Sequence, residues 1–472
     1  MSLARHLARH LRRPVPAELR RRVALHVLDW TGCAVAGSAT PVALSLRRAL
    51  TDGGEGTGPC TAIGLDRGLP LETAARMNGA LGNILEMDDV DKRARLHPGP
   101  VVIPAALAVA EWRAAAGCPV AGPDLADALM RGYEATVRLG RALGDAHYRH
   151  WHSTATCGTV GAAVAAADLL GLDEGGLTAA ITLAVTRTGG LWETRNDPAS
   201  AAKQIHTAQA AGDGIFAARC AAAGLTGPAT MLEGGEGLFA ATAPGRDPGV
   251  LLADLERAGR DGDGHPWCLT EISLKPWPAC RHAHPAIDAA LAILDRIGRP
   301  GLAAGEVATV TVTTYGDALR FCDRPVPETV GQAKFSLQHA VAVTLLRGAP
   351  DLAAFDPPAI ADHDVATLRT RVNVQAGDPW AGRYPDRFGC GMTITMADGG
   401  IIFQDMPDAL GDPENPLTED RVVAKAMTLM EAGGMGMAAA AALCAAALTL
   451  DEPGPRGGVL PLMAALPRGR GE

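Results

Sequence analysis

The sequence predicts a mainly α protein: a large all-helical domain, a smaller α+β domain, and last helices that return to the first domain. Three observations predict it. Apolar residues recur at helical spacing through residues 1 to about 265. After Pro266 the texture changes, and Val307 to Tyr315 (VATVTVTTY) alternates Val with Thr, which is strand patterning. After about Pro407 the helical spacing resumes. The expected divisions are therefore 1–265, 266–406 and 407–472.

The elements follow in order. Arg20 to Ala36 carries apolar residues at helical spacing and stops near Gly37. Val101 to Ala116 is similar and ends at Gly117, and Asp124 to Leu143 follows. Gly158 to Leu170 and Ala208 to Ala223 are small-residue helices, whose Ala and Gly allow close backbone approach in a tight bundle. In the second region, Arg371 to Gln375 and Met392 to Met396 read as strands. Ala397-Asp398-Gly399-Gly400 turns the latter into Ile401 to Phe403, a hairpin. Between the strands lie helical stretches His284 to Ile297 and Phe335 to Leu346. Glu419 to Glu431 and Met437 to Leu448 complete the chain, and Arg260 to Gly264 (RDGDG) is its most linker-like piece.

Composition narrows the function. At 472 residues the chain has room for two or three domains of ~150 residues each. Aromatics are only 4%, so the core rests on Ala, Leu and Val. A net charge of −9 argues against nucleic acid as a partner, because phosphate binding wants a basic face. It leaves room for a small anion held by local cations. The longest Ala-rich stretch, Gly433 to Leu450, reads as a buried helix and not a membrane span, since Ala barely favours lipid. Ten scattered cysteines without a CxxC pair suggest reduced thiols in a cytoplasmic protein. The basic start, MSLARHLARHLRRP, lacks the apolar stretch of a secretory signal and reads as an exposed helix.

Four clusters carry chemistry. Asn78 to His97 holds Glu86, Asp88, Asp89 and Asp91, then Lys92, Arg93, Arg95 and His97, before a Pro-Gly-Pro helix entry. Carboxylates followed by His suit acid/base work, and they equally suit a solvated loop capping the next helix. The spacing is no recognised metal code. His147, His150 and His152 precede a small-residue helix as possible bases or ligands, with the bland alternative that only one of them works. Ser200 to His206 places Lys203 ahead of an Ala-rich helix and brings in His206. A buried Lys acts as a base if its pKa falls, or holds a carboxylate if it stays charged. Lys275 to His284 (KPWPACRHAH) packs Lys275, Cys280, Arg281 and two His behind two prolines, which fits a cleft or inert packing. Gly234-Gly235-Glu236-Gly237 is not a dinucleotide loop, and no GxSxG elbow or cysteine cluster appears.

Taken in this order, the pieces resemble the MmgE/PrpD family. They are LDWTGCAVAGS (Leu28 to Ser38), NGALGNILEMDDVDKRARLHPGPVVIPAALAVAE (Asn78 to Glu111) and GYEATVRLGRAL (Gly132 to Leu143). WHSTATCGTVGAAVAAADLLGL (Trp151 to Leu172), KQIHTAQAAGDG (Lys203 to Gly214), LTGPATMLEGGEGLF (Leu225 to Phe239) and KPWPACRHAH continue the match. The resemblance implies a large helical domain with a smaller α+β lid, a site in the cleft between them, a homodimer, and no metal or organic cofactor. By position it implies Glu86, His97, His152 and Lys203 as catalytic, and Asp88, Asp89, Lys275, Cys280, Arg281 and His206 as substrate-binding. The chain departs from the family pattern at several positions, among them Val90, where the family often has Thr. Glu86 stands where the family usually has Asp, Asn83 where it has His, and Cys280 where one branch has His.

The implied activity is a cofactor-independent lyase on a small di- or tricarboxylic acid, favouring dehydration. Epimerisation of a substituted succinate is the alternative, ahead of decarboxylation or a catalytically inactive binding protein. In this reading His152 or Lys203 removes a carbon-bound proton. His97 supplies one, or Glu86 does if burial raises its pKa. Lys203, Lys275 and Arg281 stabilise the developing charge.

Overall fold

The computed structural model describes residues 1–54, 56–197, 200–253, 267–454 and 457–469. The expected linker at 260–264 and the boundary at 265/266 lie outside the described residues. Among the described residues, nine helices of nine residues or more form the first part of the molecule: α1 (Leu3–Leu11), α2 (Ala17–Ser38), α3 (Pro41–Thr51), α4 (Leu71–Asn83), α5 (Gly99–Ala115), α6 (Gly122–Tyr148), α7 (Ser153–Leu169), α8 (Glu174–Val185) and α9 (Ala202–Ala222). The centre is α7, whose side chains are almost all buried, packed against α6 and α9. Its Ala/Gly sequence makes this possible. A Cβ on Gly161 would meet the Thr136 hydroxyl and lie 2.6 Å from the Gly132 carbonyl, and one on Gly214 would lie 2.5 Å from the Ala162 methyl.

Apolar side chains gather in two large cores. The first joins the nine helices to Val422, Ala426 and Met430 of helix Glu419–Ala432, to Leu443 of helix Met437–Leu448, and to Leu462. The second runs from Trp277 to Ile394 and surrounds a four-stranded sheet. The sheet comprises β1 (Val307–Thr314), β2 (Val372–Ala376), β3 (Cys390–Met396) and β4 (Ile401–Met406), in the order β2-β1-β3-β4. The β1–β2 pair is parallel, through a helical crossover, and the other pairs are antiparallel. Val310 and Val312 of β1 stand beside Ile394 and Met392 of β3, under helices His284–Arg296 and Leu337–Arg347. The fold is thus mainly α with a small α+β part. The hairpin turns at residues 397–400, where Gly399 takes φ +89°, a value its lack of a Cβ permits.

Two expectations are corrected. The basic N-terminal helix is amphipathic and docked: Ala4, Leu7, Ala8 and Leu11 are fully buried, while Arg5 and Arg9 pair with Glu174 outside. The Ala-rich helix Met437–Leu448 buries only one face, through Ala440, Leu443, Cys444 and Ala447, and leaves Met437 71% exposed. Alanine alternatives around a helix carry no stripe from which a buried face can be read. Among the described residues no helix is long and apolar enough to cross a membrane.

The α6–α7 contact yields a stability prediction. Gly161→Ala gains about 1 kcal/mol of helix propensity but forces two backbones apart, at about 1–3 kcal/mol. The expected net is a loss, read as a lowered urea midpoint at unchanged slope.

Candidate active site

The site is built on the turn after α4. Glu86 adopts φ +59°, a left-handed conformation that costs a side chain of this kind about 1–2 kcal/mol. Three lysines hold the turn by consecutive carbonyls. Lys334 Nζ donates to Leu85 O (3.0 Å), Lys275 Nζ to Glu86 O (2.8 Å) and Lys425 Nζ to Met87 O (2.7 Å). Lys275 and Lys334 flank residues of the second core, and Lys425 belongs to helix Glu419–Ala432. Each bond is charge-assisted, and each also satisfies an ammonium that burial would otherwise leave bare. Lys425 is further tied to Asp29 Oδ1 of α2 (2.6 Å).

The turn aims the Glu86 carboxylate at the first turn of α9, where Lys203 Nζ donates to Oε1 at 2.5 Å. Lys275 Nζ stands 3.7 Å from Oε2 and 3.7 Å from Asp88 Oδ1. Burial pushes the Glu86 pKa up, but Lys203 and Lys275 outweigh it and hold the carboxyl below its ordinary value. Lys203 is driven the other way: burial lowers it, and Glu86 and Asp88 raise it above the ordinary lysine value. With these shifts Glu86 rests as a carboxylate and Lys203 as a cation. Asp88 is likewise held well below the usual carboxylate range, with burial opposed by His97 and Lys275.

His97 is oriented from behind. Its Nδ1 lies 2.8 Å from Asp89 O and 3.0 Å from Asp88 Oδ2, both acceptors, so Nδ1 carries a proton and Nε2 points away from them. Asn83 donates to the same Asp88 oxygen at 2.7 Å, and the His97 N–H donates to the Thr154 hydroxyl at 3.0 Å.

These groups face a cavity of about 660 Å³. Of the residues expected from sequence, Glu86, His97, Lys203, Lys275, Cys280 and Arg281 line it. Arg281 is also a strut, bonded to Asp412 Oδ1 (2.5 Å) and Leu410 O (2.9 Å). Burial opposes a hydrogen bond from Cys322 at the Cys280 thiol, and the hydrogen bond wins, lowering its pKa. Asp88, Asp89, His152 and His206 do not line the cavity. Asp89 is consumed by His26 Nδ1 (2.8 Å), Tyr133 OH (2.7 Å) and Gly99 N (2.9 Å), so it braces the helix entry. His152 is buried, stacks on the cavity-lining Trp192 at 4.3 Å, and shares a 3.0 Å Nδ1–Nδ1 contact with His206. Burial and nearby Lys203 push its pKa well down, so it is neutral. His150 is exposed.

Three residues were missed by sequence reasoning. Lys334, also in the wall, is pushed down to about 8 by burial. Lys425 shares the inward stripe of Val422, Ala426 and Leu429, and a lysine on an apolar stripe is a signal the sequence did carry. Arg195 lies in the 3-10 helix Trp192–Asn196 with no pattern around it. Among the described residues no three His, Cys, Asp or Glu side chains gather as a metal site.

Residues 1–251 match the family model of the MmgE/PrpD N-terminal domain, and 277–447 that of the MmgE/PrpD C-terminal domain. The chain belongs to the MmgE/PrpD family. A cis-aconitate decarboxylase-like protein of Aspergillus oryzae is 29% identical over 75% of this chain and 74% of its own. A cis-aconitate decarboxylase of Aspergillus terreus is 26% identical over 88% and 86%. A 2-methylcitrate dehydratase of Cupriavidus necator is 28% identical over 29% of each chain. These MmgE/PrpD relatives are enzymes by name, of two different reactions.

Two predictions follow from the geometry. Lys425→Met strands Asp29 and the Met87 carbonyl inside the protein and is expected to cost about 3–5 kcal/mol in urea unfolding. His282, flanked by Phe321 and Phe388 at ring distances of 5.2 Å, is pushed down to about 4 by burial. Its contribution is complete above its unfolded pKa of about 6.5 and is lost as pH falls toward 4, about 2 kcal/mol by pH 5. Melting curves at pH 7 and pH 5 are expected to diverge less for His282→Leu than for the wild type.

Proposed function

We propose that this protein is a cofactor-independent lyase of a small di- or tricarboxylic acid, acting as a dehydratase. The observation that carries the reading is the convergence of Lys203, Lys275 and Lys334 on the carboxylate and carbonyls of residues 85–86, at the wall of one cavity. Lining cations outnumber the two lining carboxylates, Glu86 and Asp356, so the cavity favours an anion. A carboxylate held by ammonium groups acidifies the adjacent C–H, because the cations stabilise the doubly negative enolate that forms. The same cations would stabilise a departing carboxylate in its ionised ground state and so resist loss of CO2. That contrast favours proton abstraction over decarboxylation.

In this reading His97 Nε2 removes the proton next to the carboxylate, with Asp88 stabilising the imidazolium. The C–H electron pair becomes the new C=C bond, the C–O bond breaks, and hydroxide takes a proton from Lys203 to leave as water. Solvent restores both groups. His152 acts through Trp192 as a positioning residue. The same reading keeps the protein cytoplasmic, which its ten unpaired cysteines suit, and homodimeric.

Incubation with a panel of hydroxy di- and tricarboxylates in deuterated water tests this. Water loss with solvent deuterium in returned substrate supports the proposal. Exchange with inversion and no water loss makes the protein an epimerase, and CO2 release makes it a decarboxylase. His97→Gln and Lys203→Met are each expected to lower kcat by about 10²-fold or more, and Lys203→Met also lowers the melting temperature because it strands the Glu86 carboxylate. Near-normal turnover by either would refute its assigned role.

A further inference from the structure

The cations of the cavity differ in how they are neutralised. Lys203 is paired with Glu86, Lys275 faces Asp88, Lys92 donates to Glu414 (2.6 Å), Arg281 to Asp412, and Arg95 pairs with Asp145. Among the described residues, Arg195 and Lys334 have no carboxylate within 4.0 Å. Both have donors to spare. Arg195 Nη1 and the hydroxyl of adjacent Thr194, a second lining residue, are buried without a hydrogen-bond partner. Lys334 uses one of its three protons on Leu85 O.

The two cations occupy different parts of the wall. Arg195 lies in the short helix whose Trp192 packs on His152 (4.3 Å) and on Tyr148 of α6 (5.7 Å). Lys334 is tied instead to the Leu85 carbonyl of the Glu86 turn. Asp317 is already engaged, accepting from Tyr384 OH at 2.7 Å and from Arg95. A guanidinium with an unused buried N–H next to an unpartnered hydroxyl is an anion site in waiting, and its planar fork suits a carboxylate.

We propose that Arg195 with Thr194, and Lys334, are two separate carboxylate-binding positions, so that the substrate carries at least two carboxylates and is gripped at both. Lys334 holds the carboxylate next to Glu86, Lys203 and Lys275, where the chemistry takes place. Arg195 holds the remote one, whose binding energy positions the reacting end. The inference rests on the lyase reading above and names the groups that select its substrates.

Titration calorimetry on the full chain tests it, with tricarballylate as an inert tricarboxylate and butyrate as the single-carboxylate probe. The wild type is expected to prefer tricarballylate. Arg195→Gln is expected to weaken tricarballylate by about tenfold or more, leave butyrate unchanged, and be partly rescued in Arg195→Lys. Lys334→Met is expected to weaken both acids. Lys334 is buried and its variant stands on folding, so Arg195, half-buried in a short 3-10 segment, decides alone if that variant fails to fold. Wild-type affinity for tricarballylate in Arg195→Gln overturns the inference and leaves the lyase reading standing. A wild type that binds neither acid overturns both.

Discussion

The site depends on one backbone constraint, the left-handed turn at Glu86. A glutamate does not take that conformation for its own sake, and no side chain of the turn itself enforces it. What holds it is a set of three ammonium groups on three successive carbonyls, contributed by residues 275, 334 and 425. The nearest of these is almost two hundred residues away in sequence. Strain of about 1–2 kcal/mol is small beside three charge-assisted bonds in a buried setting. The lysines are therefore structural and electrostatic at once: they set the backbone, and their charge keeps Glu86 ionised.

That arrangement explains the departures from the family's usual residues. Asn83 cannot ionise, yet it donates a hydrogen bond to the Asp88 oxygen that His97 Nδ1 also faces. Glu86 is longer than the usual Asp, and its extra methylene is taken up in the contact with Lys203 at 2.5 Å. The carboxylates divide by depth. Asp89 is spent on bracing, Asp88 on His97, and Glu86 alone among the three reaches the cavity.

Much of this was legible in the sequence, and the illegible part has a physical cause. Helical spacing located α2, α5, α6, α7 and α9, and Val/Thr alternation located β1, because those patterns report burial along a single element. The hairpin was legible from its turn residues. Protonation was not, because it depends on which charges meet across distant segments. Burial of Glu86 argues for a raised pKa until Lys203 and Lys275 are seen beside it. Lys334 and Arg195 escaped for the same reason, since each is one charge in a segment without a pattern. The resemblance identified which residues matter better than it identified what each one does. His152 carries a family position, yet it lies behind Trp192 and not in the wall.

The first core is assembled from both ends of the chain, while the second draws on one continuous stretch. During synthesis the sheet can therefore close before the helices are complete. Until helix Glu419–Ala432 leaves the ribosome, α2 has no cover for its Gly32 groove, and Met87 has no ammonium at its carbonyl. A nascent or truncated product ending before Lys425 would own every side chain that touches the cavity except Ala432, and still lack one of the three ties on which the Glu86 turn hangs.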